Sequence, residues 1–136
     1  MRFLVVGAMA LVMSGCMTPS GVTPVIHVQP GRQFELAIGQ EAQIQGTAVS
    51  IRFSGVGEDS RCGIDVQCVW AGNAVVRLTL SSSATTPDES TLNTGIEPRQ
   101  TPYSGYTIRL VALDPAPRSG RQIAQTEYRA TLEVVN

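Results

Sequence analysis

Five segments of this chain alternate apolar and polar residues with a period of two, and this pattern most constrains the fold. Such alternation places every second side chain on one face of a β-strand. In the third segment, Val76 and Leu78 share a face and Arg77 lies on the opposite one. Turn-forming residues bound each segment, which favours strands over helices. The predicted strands are residues 34–38, 49–53, 74–80, 106–112 and 128–134.

Other parts of the chain carry weaker signals. Residues 43–46 and 90–96 mix β-branched and polar side chains and are further strand candidates, whereas the polar stretches 81–89 and 115–122 are predicted loops. No window of ten or more residues has a helical apolar stripe. Strands with one apolar face must bury it against another sheet. The sequence therefore predicts an all-β fold, an antiparallel β-sandwich (immunoglobulin-like) or a flattened barrel of about seven strands.

The first sixteen residues have the layout of a secretory signal, with Arg2 at the start and an apolar run over residues 3–13. They end in Ser14-Gly15-Cys16, which resembles the end of a bacterial lipoprotein signal, with methionine where that family usually has leucine. The resemblance implies a signal peptide over residues 1–15 and a lipidated Cys16 at the mature N-terminus. The apolar run is too short to span a bilayer, which takes about 20 residues.

The segment after Cys16 predicts a tether. Residues 16–31 include three prolines and two glycines, a composition typical of semi-extended linkers. Residues 25–28 could instead form a first edge strand, so the start of the domain, placed at 32–136, is open by several residues. Met17 follows the cysteine where inner-membrane lipoproteins tend to have aspartate. We therefore expect a lipid-anchored protein of the bacterial cell envelope, in the outer membrane and facing the periplasm.

The charge pattern argues against nucleic acid as a partner. Ten arginines, no lysine and eleven acidic residues give a net charge of −1, and the two signs are interspersed along the chain. No basic block is present that would neutralise phosphates. We expect neither a nucleic-acid partner nor a cofactor.

The three cysteines are expected to have two roles, lipid attachment for one and a disulfide for the other two. With Cys16 assigned to the lipid, Cys62 and Cys68 remain as a pair in an exported chain, where oxidising conditions favour disulfides. Their bond would close a loop of seven residues. A cross-link that closes a loop of that length is expected to stabilise the fold by on the order of 2 kcal/mol.

The cysteines lie in the densest group of distinctive residues, 58–73. Residues 59–62 read DSRC and residues 68–72 read CVWAG. These motifs resemble a group of small bacterial exported and lipoprotein domains, in which a proline usually stands where this chain has Gly63. The resemblance covers most of the mature domain. It implies a family and no activity.

The residues of this segment bear on four alternative chemistries. Zinc would need more ligands, and the one histidine of the chain, His27, lies in the tether. A nucleophilic Ser60 would need a base held nearby, and a redox role would need a C-x-x-C spacing. A calcium site would have carboxylate oxygens as ligands, although the EF-hand spacing is absent. The carboxylates that would offer them are Glu58, Asp59 and Asp65.

Two interpretations of the loop remain. In the structural one, the disulfide fixes a connection, Asp59 and Arg61 pair with each other or with backbone amides, and Trp70 packs over the disulfide or the end of the sandwich. In the other, a rigid loop presents side chains to a protein partner, as protease inhibitors do. An exposed Trp70 favours binding and a buried one favours a scaffold. The candidate partner-binding residues are Asp59, Arg61, Ile64, Val66 and Trp70.

The sequence thus predicts a lipid-anchored envelope protein that works as a binding or assembly module for an envelope protein partner. A purely structural lipoprotein and a protease-inhibitor-like module are the alternatives. No enzymatic activity is expected. An enzyme would require carboxylates from distant segments, such as Glu97, Asp114 and Glu127, to meet in a cleft.

Overall fold

The structure is a computed structural model that describes Gly15, residues 23–83 and residues 85–136. Cys16 and the signal segment, apart from Gly15, lie outside these residues. The described part of the chain is all-β, as predicted. It contains nine strands, more than the seven or so expected, and a short 3-10 turn at Gln125–Glu127. The strands are β1 (Ile26–Val28), β2 (Gln33–Ala37), β3 (Glu41–Ile44), β4 (Ser50–Asp59), β5 (Ala74–Ser82), β6 (Thr85–Asn93), β7 (Gln100–Tyr103), β8 (Tyr106–Asp114) and β9 (Arg129–Val135).

The described strands form two sheets that do not close into a barrel. The first has the order β1-β3-β4-β5-β6 and the second the order β2-β9-β8-β7. All neighbouring strands are antiparallel except β1 and β3, which are parallel. This arrangement agrees with the predicted β-sandwich and rules out the flattened barrel.

The alternating residues of the five predicted segments fill the space between the sheets. Each segment overlaps a strand, and its apolar face is turned inward except at Ala112, which is exposed because a register shift after Leu110 buries Leu113 instead. Because such side chains leave water completely, each contributes about 1.5–3 kcal/mol to folding. The largest fully buried side chains are Leu36, Ile44, Ile51, Phe53, Leu78, Leu80, Leu92, Ile108, Leu132, Val76 and Val134.

The predicted loop at 81–89 is wrong, because β5 and β6 run through it. Leu80 is in register with Asp88, and Ser82 with Thr85, so the two strands form a long hairpin. The first five residues of β6 are exposed on both faces. A strand with no buried face has no reason to alternate apolar and polar residues, and backbone pairing alone defines it. The loop predicted at 115–122 agrees with the structure, which has only an isolated bridge there between Arg118 and Arg121.

Two short strands, β1 and β7, explain the difference in strand number. Residues 25–28 were expected to belong either to the tether or to a first edge strand. Residues 26–28 form the edge strand β1, in which Ile26 pairs with Ala42 of β3. The weak candidate at 43–46 corresponds to β3. The strand β7 had no sequence signal because Pro102 interrupts it, which edge strands tolerate.

Three connections meet at one end of the sandwich, which we call the loop end. They are residues 60–73 between β4 and β5, residues 94–99 between β6 and β7, and residues 115–128 between β8 and β9. The register pairs Asp59 with Ala74 and Asp114 with Arg129 fix where these strands end. The distinctive motifs of the sequence therefore lie together at this end. Among the described residues, no helix is long and apolar enough to cross a membrane.

Candidate binding loop

The cysteine loop, residues 60–73, is closed at its middle by the predicted disulfide. Cys62 and Cys68 are bonded, with their Cα atoms 5.9 Å apart. Below the disulfide, the Ser60 N–H donates to the Asn73 carbonyl at 2.8 Å and the Cys62 N–H to the Ala71 carbonyl at 3.1 Å. These bonds continue the pairing of β4 with β5 into the loop. The loop therefore rises from the sheet on a hydrogen-bonded stem.

Gly72 allows the two sides of this stem to approach each other. Its φ is +71°, and a Cβ built there would lie 1.8 Å from the Ser60 carbonyl oxygen. Any other residue would push the two segments apart and adopt a strained left-handed conformation. The glycine of the CVWAG motif is therefore required by the stem geometry.

Asp59 and Arg61 form the base of the loop. The guanidinium donates to both carboxylate oxygens, from Nε and from Nη2, each at 2.8 Å. It also donates to the carbonyls of Leu113 at 2.6 Å and Pro115 at 2.9 Å. Because Arg61 thus joins the end of β4 to the end of β8, it ties the first sheet to the second.

Tyr128 completes this base from the start of β9. Its hydroxyl donates to Asp59 Oδ2 at 2.9 Å. Burial by itself would raise the pKa of Asp59, but the hydrogen bonds from Arg61 and Tyr128 and the charge of Arg61 together hold it below its ordinary value. The bond to Asp59 raises the pKa of Arg61. Burial, together with the bond to Asp59, raises the pKa of Tyr128 to about 12. Asp59 is therefore ionised, and Tyr128 neutral, across the physiological range.

Two of the five candidate residues make the contacts that the structural interpretation expects. The side chains of Asp59 and Arg61 are only 13% and 14% exposed, and the contacts that they make lie within the domain. The Arg61 N–H also donates to Asp59 Oδ1 at 3.3 Å, so the carboxylate accepts from backbone as well as from side chain. These two residues hold the loop and do not face outward.

A second set of contacts fastens the loop to residues 115–128. Asp65 accepts hydrogen bonds from the N–H and the hydroxyl of Ser119, at 2.9 and 2.5 Å, and these bonds lower the pKa of Asp65. The Ile64 N–H donates to the Pro117 carbonyl at 2.9 Å. The loop is therefore supported on one side by the connection between β8 and β9.

The other three candidate residues, together with Val69, form an exposed apolar surface that we call the tip. Val69 and Trp70 are 92% and 83% exposed, and Ile64 and Val66 are exposed as well. Trp70 therefore packs over neither the disulfide nor the sandwich end. Of the six large hydrophobic residues that are exposed in the described chain, these four lie on the cysteine loop. Clustering of this kind marks contact surfaces, whereas isolated exposed residues do not.

A fifth exposed residue, Ile96, belongs to the same end of the molecule. It follows Gly95, where a Cβ would lie 2.4 Å from the Gly72 carbonyl oxygen, so residues 94–99 are in contact with the stem. The sequence analysis singled out neither Val69 nor Ile96. For Val69, the available signal was an apolar residue within a turn-rich segment, where no strand alternation accounts for it. Ile96 fell within the strand candidate 90–96, but β6 ends at Asn93.

The alternative chemistries find little support in the geometry. In the described residues, no three His, Cys, Asp or Glu side chains lie close enough to hold a metal ion. Ser60 Oγ donates to the Asn73 carbonyl at 2.9 Å. His27 is in β1, in register with Gln43 and away from the loop end.

The three carboxylates considered for an enzyme have separate surroundings. Glu97 accepts from the Arg99 N–H at 3.1 Å and lines an open cavity of about 500 Å³, whose other carboxylate, Glu133, is ion-paired with Arg109. Glu127 pairs with Arg121, and Asp114 ends β8. The fold places these three carboxylates on separate segments, each with its own neighbours.

Comparisons of this chain with known protein families, with curated proteins and with solved structures found no match. The family resemblance of the DSRC and CVWAG motifs stays a prediction. The geometry of the cysteine loop therefore supplies the observations that bear on function.

Proposed function

We propose that the protein is a lipid-anchored protein of the bacterial cell envelope, held by acyl chains on Cys16, and that its β-sandwich works as a binding or assembly module. The proposed contact surface is the tip. The single observation that supports this function is the exposure of Trp70 and Val69 on a loop whose base is fixed. The proposed location is the outer membrane, on its periplasmic side.

A fixed base makes the tip suitable for binding. The disulfide, the Asp59–Arg61 pair and the Asp65–Ser119 bonds order the loop before any partner arrives. A pre-ordered surface loses less conformational entropy on association, which otherwise costs about 0.5–1.5 kcal/mol per immobilised side chain. Tryptophan is also the residue type most enriched among binding hot spots. These features support binding over a purely structural role, which gives no reason to expose these side chains.

The proposal includes no catalytic role. Of the three carboxylates considered for chemistry in the segment 58–73, Asp59 and Asp65 are engaged by Arg61, Tyr128 and Ser119. Their pKa values are lowered, so they are held as anions and are poor general acids near neutral pH.

The anchor is tested by Cys16→Ala in cells. We expect the wild-type protein to fractionate with membranes and to carry acyl chains detectable by mass spectrometry of its N-terminal peptide. The variant should appear in the soluble or precursor fraction. A wild-type protein without acyl mass on Cys16 would contradict the anchor.

The contact surface is tested by placing a photoreactive amino acid at Val69 in the full chain. The matched control carries it at Ser83, which is exposed on the hairpin turn at the opposite end. We expect adducts with an envelope component, protein or lipid, from position 69 and none from position 83. Equal or absent labelling at the two positions would contradict a role for the tip.

A further inference from the structure

The direction of β1 shows on which side of the domain the N-terminal segment emerges. β1 runs parallel to β3, and β3 runs antiparallel to β4, whose last residue, Asp59, is at the loop end. The chain therefore enters β1 from the side of the loop end. Residues 23–25 therefore join β1 on the side of the domain that carries the loop end.

The segment between Cys16 and Ile26 is long enough to reach from the start of β1 to the level of the loop end. Ile26 is level with Ala42 and hence with Ile51, eight residues before Asp59. Because β4 has two register shifts there, Ile51 and Asp59 pair with Leu80 and Ala74, which are six residues apart on β5 and about 20 Å apart at the rise of a strand. The ten residues from Cys16 to Ile26 reach at most about 33 Å. Cys16 can therefore lie level with the loop end, at the same membrane surface that the tip would face.

The side chains of the tip suit the interface of a bilayer. Trp70 has an apolar ring with a polar N–H, and tryptophan is enriched where lipid headgroups meet acyl chains. Ile64, Val66 and Val69 are aliphatic and closely precede it in sequence. The tip lies beyond a hydrogen-bonded stem, with Val69 and Trp70 almost fully exposed, which suits insertion between lipids.

The charge at the loop end neither attracts nor repels a lipid surface strongly. The three connections there contain four arginines and three carboxylates, which leaves a net charge of +1. Three of these arginines already face a carboxylate or lie close to one: Arg61 pairs with Asp59, Arg121 with Glu127, and Arg118 is near Asp65. Contact with lipid would thus depend on the apolar tip and not on anionic headgroups.

We infer that the tip inserts into the headgroup region of the bilayer that holds the Cys16 lipid, so that the domain contacts its membrane at two points. This inference rests on the proposed anchor and names the bilayer as the partner of the tip, in place of the protein partner expected from the sequence. Two contacts at one end would hold the sandwich upright, with its opposite end turned away from the lipid.

Trp70 is the only tryptophan of the sequence, so its fluorescence reports on the tip alone. The test uses the full-length protein, purified from membranes and reconstituted into phosphatidylcholine vesicles with or without brominated acyl chains, which quench tryptophan on contact. We expect brominated lipid to lower the emission of Trp70 roughly twofold, because an interfacial indole touches the upper acyl chains. Adding phosphatidylglycerol should change the result little, since the loop end is nearly neutral.

Two variants complete the design. Trp70→Phe combined with Ser83→Trp moves the indole to the opposite end and should abolish the quenching. Val69→Asp keeps Trp70 but adds a charge that must stay hydrated, and it should weaken the quenching.

The outcomes separate the two proposals. Anchored protein whose Trp70 is unquenched overturns the bilayer contact and leaves the anchor intact. Unquenched Trp70 together with protein adducts from position 69 in cells assigns the tip to a protein partner and also overturns it. Protein without acyl chains on Cys16 overturns the anchor and the bilayer contact together.

Discussion

The base and the tip of the cysteine loop are neighbours in sequence but opposite in environment. At the base, Asp59 and Arg61 are largely buried and make hydrogen bonds to β8 and β9, 52 to 69 residues away in the chain. At the tip, Val69 and Trp70 are almost fully exposed. Charged side chains are thus held inside and apolar ones outside. The comparison indicates that the base determines folding, whereas the tip is free to serve binding.

The largest effect is expected from Gly72→Ala in the stem. The new Cβ would collide with the Ser60 carbonyl at a φ of +71°, and we expect a loss of about 4 kcal/mol in the free energy of unfolding, measured by urea denaturation. Gly120→Ala is the matched control. Gly120 has the same φ of +71° but nothing within 4 Å of the added Cβ, so about 1 kcal/mol is expected. Equal losses in the two variants would show that the stem does not require close approach.

Removing the positive charge of Arg61 should lower the free energy of unfolding almost as much. Arg61→Met leaves the Asp59 carboxylate and the carbonyls of Leu113 and Pro115 without their donor, and we expect a loss of about 3 kcal/mol. The control is Arg52→Met. Its ion pair with Glu41 is longer, at 3.7 Å, and solvent-exposed, so a loss below about 1 kcal/mol is expected in the same denaturation experiment. A similar small loss for Arg61→Met would contradict a supporting role for the base.

Tyr128→Phe should cost about 1 kcal/mol at neutral pH, since it removes one hydrogen bond to a carboxylate. The folded state holds the phenol proton with a pKa raised to about 12, above its ordinary value of 10.0. Between these two values, the unfolded chain loses the proton first, so the stability of the wild-type protein falls as the pH rises. The difference between wild type and variant should therefore shrink over this window. Thermal unfolding at several alkaline pH values measures it, and a constant difference would be inconsistent with the Asp59–Tyr128 contact.

The smallest effect on stability is expected at the tip. Trp70→Ala removes a large side chain that contacts mostly solvent, so the free energy of unfolding should change by less than about 0.5 kcal/mol. Phe53→Ala, in the core, provides the contrast with an expected loss of about 3–5 kcal/mol. A large loss for Trp70→Ala would mean that the indole supports the fold, and the distinction between base and tip would fail.

Prediction from the sequence succeeded where local pattern and structure coincide. The five alternating segments became strands with their apolar faces inward, apart from Ala112, and Cys62 and Cys68 are bonded as expected. It failed for the first half of β6, which has no buried face, and for β7, which contains Pro102. These strands are defined by hydrogen bonds to a neighbour, and the identity of that neighbour is not written in the local pattern.

The amino-acid sequence by itself determined the all-β class and the closed loop, because the alternation of side chains and the pairing of cysteines are properties of short segments. The choice of an open two-sheet sandwich over a flattened barrel came from the tertiary structure. Only the tertiary structure decided the roles within the loop. Asp59 is turned inward because Arg61 and Tyr128 meet it there, and Tyr128 arrives from the last strand. Trp70 is exposed because no element of the described chain covers it. Burial depends on which distant segments meet in space, and the sequence around a residue does not contain that information.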